Sequence, residues 1–565
     1  MERRLLLVFA LTFLVIIVFQ PLFKKYLPQT PAQQQTHVQP PPAQASPVAA
    51  QSASPEPLPA NVAGKQASAE TETIIENGFY RITFTNRGAQ VKSWVLKKYD
   101  DDSGKPLEVV NSAAAQKYGY PLSLWVYDQT LRNRINSALF VPSLPGTVEA
   151  PAELSFEYAD ADLIVRKSFR FDRGYLVHLE TSVFFKGSSI AALPMWPAGF
   201  GDQANIAGYR TAQFEYQNDA TTEHIEAKKI SGGNTLHGPF DWVGTSDAYF
   251  AAVFLPDNSS DAVAVSLRNA LNIPKDPQKP DETQAVDVLG AAVGTLEGSC
   301  SEGVYVGPKS LQVLESVPVP NIRGTHQDLR TLVNFGFFGA IARPLFLWLR
   351  WTYEHWVHNW GWAIVIQTFI ITVALLPLRI SSMKSMLKMQ RIQPQMKAIQ
   401  EKYKKYSMRD PRKQEMNKEL MELQRKAGVN PVGGCLPMII QLPFIWAYYK
   451  MLGGAIDLRH AHWLWIHDLS SRDPLFLLPI ALVISMVLTQ RMTPQAGMDP
   501  AQQRMMNWMM PAMMGFIFFN LAAGLNLYYA ESNLISIAQQ ALMNRTELGR
   551  EMRELAAKRA RKKDK

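Results

Sequence analysis

The sequence is poor in cysteine and contains none of the common catalytic motifs. Its 565 residues include two cysteines, Cys300 and Cys435, which are too few for a disulfide framework and lack the spacing of zinc ligands. A phosphate-binding P-loop is missing, so nothing in the sequence indicates that the chain hydrolyses a nucleotide. The G-x-S-x-G and H-E-x-x-H motifs of hydrolases and zinc proteases are missing as well. We therefore predict that the protein is not an enzyme and uses no cofactor.

One histidine-rich segment is the best candidate for a metal site. His460, His462 and His467 lie close together, and Asp468 follows them. Two tryptophans stand among these residues beside a predicted membrane-spanning segment, where aromatic side chains commonly line the interface. We favour this structural interpretation and predict no metal site.

Charge is distributed unevenly along the chain. Residues 71–325 contain 22 Lys and Arg against 30 Asp and Glu, a net charge of −8. The remainder contains 36 against 19, a net charge of +17, and the two sums give the overall +9. The positive charge therefore accompanies the apolar segments described next and does not form one nucleic-acid-binding face.

Residues 1–26 are predicted to form a transmembrane anchor. Residues 5–23 are almost all apolar, and nineteen helical residues reach roughly 28 Å, about the thickness of a hydrocarbon core. A cleavable signal peptide is the alternative, but its apolar region would be shorter and followed by small residues. Arg3 and Arg4 favour a cytoplasmic N-terminus. Residues 27–70, rich in Pro, Gln, Ala and Ser, are predicted to be a disordered linker.

Residues 71–325 are predicted to form a soluble β-sandwich domain. Apolar and polar residues roughly alternate after the Asn77-Gly78 turn signal and again on both sides of residues 172–174. Many short strands of this kind are typical of a sandwich. Residues 326–358 mix aromatic residues with arginines, which favours an amphipathic helix in the outer membrane interface. A buried core helix is the alternative for that segment.

The region 359–544 is predicted to contain five further membrane spans, near residues 360–378, 434–452, 475–490, 509–523 and 525–543. Residues 379–431, which have the composition of a helical hairpin, contain 14 Lys and Arg against 5 Asp and Glu. The tail 545–565 contains 9 against 4. The positive-inside rule therefore places this hairpin, this basic tail and both termini in the cytoplasm. The hairpin is either simply solvated or binds anionic lipid or ribosomal RNA.

Several segments in order resemble the YidC family of bacterial membrane-protein insertases, of the Gram-negative type with a large periplasmic domain. The strongest is NPVGGCLPMIIQLPFIWAYYKML at 430–452. Others are TNRGAQVKSWVL, VYVGPK, RPLFLWLRW, NWGWAIVIQTFI, WIHDLSSRDP, DPAQQRMM and GLNLYYAESNLISIAQQ. The resemblance covers almost the whole chain.

This resemblance implies a multi-domain protein of the bacterial inner membrane. The expected fold is a periplasmic all-β supersandwich plus an α-helical core of five transmembrane helices and one N-terminal anchor helix. The expected function is that of an insertase and chaperone for inner-membrane proteins, acting through a hydrophilic groove, alone or with the Sec translocon. The implied partners are nascent membrane proteins, the Sec translocon, the ribosome and anionic lipids, whereas the oligomeric state stays open.

The resemblance also indicates groove residues. Thr368 matches a family groove threonine, and Tyr529, beside Tyr528, matches the groove-facing member of a tyrosine pair. Helix packing is the alternative role for Tyr529. Gln367 is a further polar residue at a different angle. Thr372 occupies the position at which the family normally carries a groove arginine, so a mechanism that needs a fixed positive charge there is in doubt.

Three charged residues are candidates for replacing or supplementing that charge. Arg379 lies about 20° from the face of position 372 and ~10 Å nearer the cytoplasm, so its side chain can lean back into the groove. The alternative is that it reaches lipid phosphate. Lys450 and Glu531 lie near the outer ends of their spans, and we predict that they pair, because ions inside membranes are usually paired. The alternative is that Lys450 reaches the membrane interface by itself while Glu531 is protonated and neutral.

Two other function classes remain open from the sequence. A small-solute transporter would also need a polar intramembrane cavity, although we find no internal repeat of the spans. A sugar-binding or sugar-modifying protein is the second alternative, and it rests on fold analogy alone.

Overall fold

The computed structural model describes residues 64–554 except 204, 219–220, 277–278, 297, 320–326, 407–409, 429–435, 493–504, 548 and 552–553. They belong to the unit that begins at Ala60. The predicted anchor (1–26), most of the predicted linker (27–70) and the end of the predicted tail (545–565) lie outside the described residues.

Strands make up most of the structure as far as residue 328. In chain order they are β1 (Glu72–Glu76), β2 (Tyr80–Thr85), β3 (Gln90–Asp100), β4 (Pro106–Glu108), β5 (Ser123–Trp125), β6 (Val141–Pro142), β7 (Gly146–Glu149), β8 (Ala152–Ala159), β9 (Leu163–Phe171), β10 (Leu176–Phe185), β11 (Ser188–Ser189), β12 (Leu193–Trp196), β13 (Gln213–Asn218), β14 (Thr221–Glu226), β15 (Asn234–His237), β16 (Trp242–Ser246), β17 (Phe250–Pro256), β18 (Ala262–Asp276), β19 (Lys279–Thr295), β20 (Cys300–Pro308), β21 (Pro318–Val319) and β22 (Gln327–Asp328). Short helices between them are α1 (Ser112–Tyr118), α2 (Gln129–Ser137), α3 (Ile206–Tyr209) and α4 (Leu311–Glu315), with a 3₁₀ turn at Ala227–Lys229.

The strands form three larger sheets that share one core. The first has the order β4-β3-β2-β1-β7, the second β14-β13-β16-β17-β20-β10-β9-β8-β6 with β11 beside β10, and the third β15-β18-β19-β12-β5, while β21 pairs with β22. Phe84 of the first sheet meets Phe169 of the second with ring centroids 4.9 Å apart. Trp94 of the first meets Trp196 of the third at 6.2 Å. These aromatic contacts hold the sheets face to face, as in a β-sandwich.

The β9–β10 hairpin confirms the alternation predicted around residues 172–174. Phe171 pairs with Val177 across the turn, and along β9 every second side chain is buried. One of these buried positions is Lys167, whose ammonium group donates to the carbonyl oxygens of Gly88, Ala89 and Leu122 at 3.0, 2.9 and 2.7 Å. Backbone acceptors thus take the place of water around this buried lysine.

Helices dominate the structure after residue 328. They are α5 (Gly339–Thr352), α6 (Trp360–Ala374), α7 (Leu376–Lys402), α8 (Arg412–Lys426), α9 (Leu436–Gly454), α10 (Leu477–Met492), α11 (Met510–Phe518) and α12 (Ala523–Arg545). Shorter turns are the 3₁₀ segments Leu329–Leu332, Gly336–Phe338 and Ile456–Leu458 and the π-helical segments Tyr353–Val357 and Met505–Met509.

Each of the five predicted spans overlaps one of these helices, although α6 and α11 are shorter than the spans predicted there. Within the described residues, however, no single helix has both the length and the apolar composition for crossing a bilayer. The segments Gly336–Val357 and Trp360–Ala374 meet these criteria together, with a bend of 114° between them, and Leu477–Met492 is a shorter apolar helix. The number of transmembrane helices therefore stays a prediction.

Two predicted helical segments have different limits in the structure. The predicted amphipathic helix 326–358 is shorter in the structure, where the regular α-helix is α5. Before it, Gln327 and Asp328 pair with β21, and Gly336 adopts a positive φ of 65°. The predicted hairpin 379–431 begins earlier, since α7 starts at Leu376 with Pro377 in its first turn, where a missing N–H is tolerated. Helices α7 and α8 meet where Tyr403 donates to Glu419 at 2.8 Å.

Candidate functional site

A small cavity lies where the end of α6 and the start of α7 meet α9 and α12. It has a volume of about 20 Å³, room for about one or two water molecules. It is lined by Ile371, Thr372, Leu375, Leu378, Arg379, Gln441, Phe444, Tyr528 and Ser532. Its walls combine apolar surface with hydroxyl, amide and guanidinium groups. Such a lining offers hydrogen-bond partners to polar groups beside apolar contact surface.

The two threonines of α6 bond to their own helix. The Thr368 hydroxyl donates to the Ile364 carbonyl oxygen and the Thr372 hydroxyl to the Thr368 carbonyl oxygen, both at 2.7 Å. Their donors are therefore satisfied, and the remaining hydroxyl lone pairs can accept from another group. Thr372 is among the cavity-lining residues. Thr368, one helical turn earlier in α6, is not among them.

Arg379 extends the polar surface of the cavity beyond Thr372. Its guanidinium group donates to the Gln539 side-chain oxygen at 2.9 Å, and the Gln539 amide donates to the Thr372 backbone carbonyl at 3.3 Å. Gln539 of α12 thus connects Thr372, which occupies the position of the family arginine, with Arg379. Because Arg379 lines the same cavity as Thr372, a positive charge is present there, although it lies further along the chain.

The two tyrosines of α12 have different environments. Tyr528 is buried, lines the cavity and stacks on Tyr448 of α9 with ring centroids 4.0 Å apart. Tyr529 is partly buried and packs edge-on against Phe518 of α11 at 4.7 Å. Tyr528 therefore contributes to the cavity wall, while Tyr529 joins α12 to α11.

Gln367 is part of the packing between helices. Its amide nitrogen donates to the Leu345 carbonyl of α5 at 2.9 Å, and its amide oxygen accepts from the Tyr448 hydroxyl of α9 at 2.7 Å. The side chain is fully buried and is not among those lining the cavity. It links three helices, because each end of the amide bonds to a different one.

Lys450 and Glu531 form no ion pair in the described part of the chain. Lys450 is exposed, and its Cε lies 3.9 Å from the place that a Cβ on Gly336 would occupy. Glu531 is half-buried near the Thr368 hydroxyl. The separation follows from the geometry of α9. Tyr448 stacks on Tyr528 of α12, and Lys450, two residues later on the same helix, therefore points to nearly the opposite side. The predicted pair is therefore not present in this structure.

Sequence reasoning missed three polar residues of this region. Gln441 of α9 donates to the Ser532 hydroxyl at 3.4 Å, and Gln539 makes the bridge described above. On α12, Tyr528, Ser532, Ser536 and Gln539 follow one another at intervals of four, four and three residues. That spacing is the signal of a polar stripe on one helix face.

The histidine-rich segment contains no recognisable metal site. His462 and His467 have ring centroids 5.6 Å apart, and His460 lies 3.5 Å from Asp102. Among the described residues no group of three or more His, Cys, Asp or Glu side chains could hold a metal ion. His460 instead connects this segment with the loop that contains Asp102.

Comparison with known proteins decides the family. Residues 72–348 match the YidC periplasmic domain family, and residues 351–550 match the family described as 60Kd inner membrane protein. The membrane protein insertase YidC of Geobacter metallireducens is 32% identical over 581 residues, covering 97% of this chain and 99% of the relative. The chain belongs to the YidC family of membrane protein insertases. The resemblance predicted from the sequence motifs is thereby confirmed.

The chain is also similar to a second YidC relative and to one solved YidC structure. The insertase of Geobacter sulfurreducens is 32% identical over 490 residues, covering 83% of this chain and 85% of the relative. A crystal structure of an active YidC insertase with its first transmembrane domain resolved covers 86% of this chain and 95% of its own, at 18% identity and a TM-score of 0.34. As a YidC-family protein, the chain is a membrane protein with a β-rich periplasmic domain followed by a helical region.

Proposed function

We propose that this protein inserts and helps to fold inner-membrane proteins by offering the cavity between α6, α9 and α12 to their polar segments. A segment that crosses a bilayer must carry its polar groups through ~30 Å of hydrocarbon. Each backbone group without a hydrogen-bond partner there costs several kcal/mol. A polar notch part of the way across supplies partners and shortens the apolar path, so no covalent step is needed.

The observation that carries this proposal is the composition of the cavity wall. Thr372, Arg379, Gln441 and Ser532 bring four hydrogen-bonding side chains to one cavity in a helical region that is otherwise largely apolar. Apolar side chains with large exposed fractions, such as Phe369 (54%) and Leu534 (59%), lie on the same helices. We infer that these apolar faces contact lipid, so a substrate can move sideways from the cavity into the bilayer.

We propose that the cytoplasmic surface receives substrates from the ribosome and contacts anionic lipids. The α7–α8 hairpin and the tail carry the excess of Lys and Arg, and Arg391 of α7 forms an ion pair with Glu551 of the tail. This pair lies on the surface, where such contacts contribute little to stability. The pair shows that the described part of the tail lies beside α7. In this proposal both termini are cytoplasmic, and the Sec translocon is a partner for part of the substrates.

Site-specific crosslinking tests the proposal. A photoreactive residue replaces Ser532 in the cavity or Leu534 two positions later on the exposed face, and ribosome-bound nascent chains of a membrane protein are added. We expect crosslinks from position 532 to exceed those from 534 several-fold at early chain lengths. Equal crosslinking at both positions would contradict a cavity pathway. Flux of a small solute through liposomes containing the purified protein would instead support the transporter alternative.

A second cavity favours an additional ligand-binding role for the β-rich domain. It has a volume of about 660 Å³ and is lined by Gln90, Lys117, Tyr118, Gly119, Ser123, Trp125, Gln129, Arg132, Asn133, Asn136, Met195, Pro197, Gly232, Gly233, Leu267, Arg268 and Asn269. Amides and cations outnumber apolar groups, and no carboxylate is among these residues. This combination with two aromatic rings suits a neutral or acidic carbohydrate. We expect oligosaccharides to quench the tryptophan fluorescence of the unaltered protein saturably, and we expect Asn133→Ala to abolish this quenching. If oligosaccharides leave the fluorescence of the unaltered protein unchanged, this ligand-binding role is refuted.

A further inference from the structure

The segment between α9 and α10, residues 455–473, contacts both the β-rich domain and the helical region. We call it the joint segment. Ile456 belongs to the large cluster of buried side chains in the β-rich domain, whereas Leu458, two residues later, belongs to the cluster of the helical region. Both side chains are almost completely buried. The two hydrophobic cores therefore meet within a single turn of this segment.

Arg459 follows directly and is enclosed by the β-rich domain. Its side chain is only 9% exposed, and its guanidinium nitrogens lie 3.9 Å from a carboxylate oxygen of Asp202 and 3.8 Å from one of Asp102. The guanidinium carbon also lies 5.4 Å from the ring centroid of Tyr249 and 5.5 Å from that of Phe250. Carboxylates and aromatic faces both favour a cation at this place.

The acidic side of this contact consists of two buried carboxyl groups, those of Asp202 and Asp247. Asp202 is 6% exposed and lies next to Asp247, and burial together with this second carboxyl group raises the pKa of Asp202 well above its ordinary value. Arg459 acts in the opposite direction and favours the ionised form. Two buried carboxyl groups and one buried guanidinium group thus depend on one another, because each is costly to bury alone.

The other end of the joint segment holds the first turn of α12. The Leu469 carbonyl accepts from the Gly524 N–H at 2.8 Å, and the Ser471 carbonyl accepts from the Ala523 N–H at 2.6 Å. Amides at a helix start have no partner within the helix, so the joint segment supplies them. A Cβ on Gly524 would stand 3.1 Å from the Leu469 oxygen, which shows how closely the two backbones approach.

We propose that Arg459 is a positioning residue: by fixing the joint segment to the β-rich domain, it sets the outer start of α12 and thereby the cavity residues Tyr528 and Ser532. These residues follow Gly524 by four and eight positions, roughly 6 and 12 Å along the helix. A shift at the start of a rigid helix is carried to both. This inference rests on the proposed function of the cavity and gives the β-rich domain a part in it.

The test compares three variants of the full-length protein in lipid nanodiscs. Arg459→Met removes the charge and keeps the length of the side chain, and Asp202→Leu removes its carboxyl partner at a similar side-chain volume. Arg472→Met is the matched control, because Arg472 is an exposed arginine of the same joint segment. Hydrogen exchange is followed at residues 456–461 and 523–526, with the amides of β18 and β19 reporting on intact folding.

We expect Arg459→Met and Asp202→Leu to accelerate exchange at both places at least tenfold and to reduce insertion of a membrane-protein substrate several-fold. Arg472→Met should change neither. Faster exchange confined to residues 456–461, or faster exchange at 523–526 with unchanged insertion, would overturn the positioning role. If Arg459→Met does not fold, the Asp202→Leu result decides alone. Failure of crosslinking from position 532 in the unaltered protein would instead refute the proposed function, whatever the exchange rates show.

Discussion

Replacement of Arg379 by alanine should weaken the insertion of substrates with acidic polar segments more than that of neutral ones. Arg379 is the charged side chain among the described residues that line the cavity. It is also held in place, because its guanidinium group donates to Gln539. A carboxylate of an entering segment would therefore meet a cation at a fixed position, and a neutral segment would lose only a hydrogen-bond donor.

The size of the effect follows from Coulomb's law. Two unit charges ~6 Å apart attract by about 0.7 kcal/mol in water and by about 2.8 kcal/mol at an effective dielectric constant of 20. Arg379 is partly exposed, so solvent screening reduces the larger value. We expect a difference of roughly 1–1.5 kcal/mol between acidic and neutral substrates, which corresponds to about a tenfold change in insertion efficiency.

The assay is insertion into proteoliposomes, measured by protection of a substrate segment from protease. Arg379→Ala is compared with Lys388→Ala, which removes an equal charge from an exposed position on the same helix. Thr372→Arg combined with Arg379→Ala restores a cation at the position where the family normally has one, and it should recover most of the loss. Equal losses for acidic and neutral substrates, or no recovery in the double variant, would refute the electrostatic argument.

Three further predictions concern stability. Lys167→Met leaves three buried carbonyls without a donor, so we expect a loss of about 2 kcal/mol in denaturant unfolding followed by tryptophan fluorescence, against none for the exposed Lys105→Met. Burial raises the pKa of Glu302, so the folded state keeps a proton that the unfolded state releases, and wild-type stability falls as pH rises above the ordinary glutamate pKa. Glu302→Gln should therefore gain melting temperature relative to the wild type between pH 5 and pH 8, whereas a constant difference would contradict this. A Cβ on Gly361 would lie 2.1 Å from a neighbouring indole, so Gly361→Ala should destabilise the protein by about 1–3 kcal/mol. This loss should appear as a lower melting temperature in detergent, whereas Gly453→Ala, which meets open space, should leave the melting temperature unchanged.

Much of the fold follows from patterns that are local in the chain. The hairpin of β9 and β10 was predictable because alternation and a turn signal at residues 172–174 act over neighbouring residues. The helices at the five predicted spans follow from apolar composition in the same way. The sheet order was not predictable, since β10 pairs with β20 more than a hundred residues later. Such pairing depends on which apolar faces meet in the folded core.

The site was only partly predictable for a related reason. The sequence indicates that Thr372, Tyr528 and Arg379 are unusual residues in or beside apolar spans. Whether each side chain lines a cavity depends on the rotation of its helix, which neighbouring helices set. Gln367 illustrates this, because its amide is used between α5 and α9. Lys450 points away from the cavity because Tyr448, on the opposite side of α9, stacks on α12. The spacing of residues within α9 does not indicate this contact between helices.

The position of Arg379 changes what a groove charge can do. An arginine at position 372 would stand on α6, within a predicted span, whereas Arg379 stands in the first turn of α7, seven residues or ~10 Å nearer the predicted cytoplasmic side. A charge there meets a substrate earlier and in a more hydrated place, so it costs less to bury and attracts less strongly. The hydrogen bond of Gln539 to the Thr372 carbonyl keeps the deeper part polar without a charge. We infer that in this chain a substrate is first attracted by the charge of Arg379, near the cytoplasm, and is then hydrogen-bonded further inside the membrane. Exchanging the residues at positions 372 and 379 should therefore shift the stage of insertion at which acidic substrate segments stall.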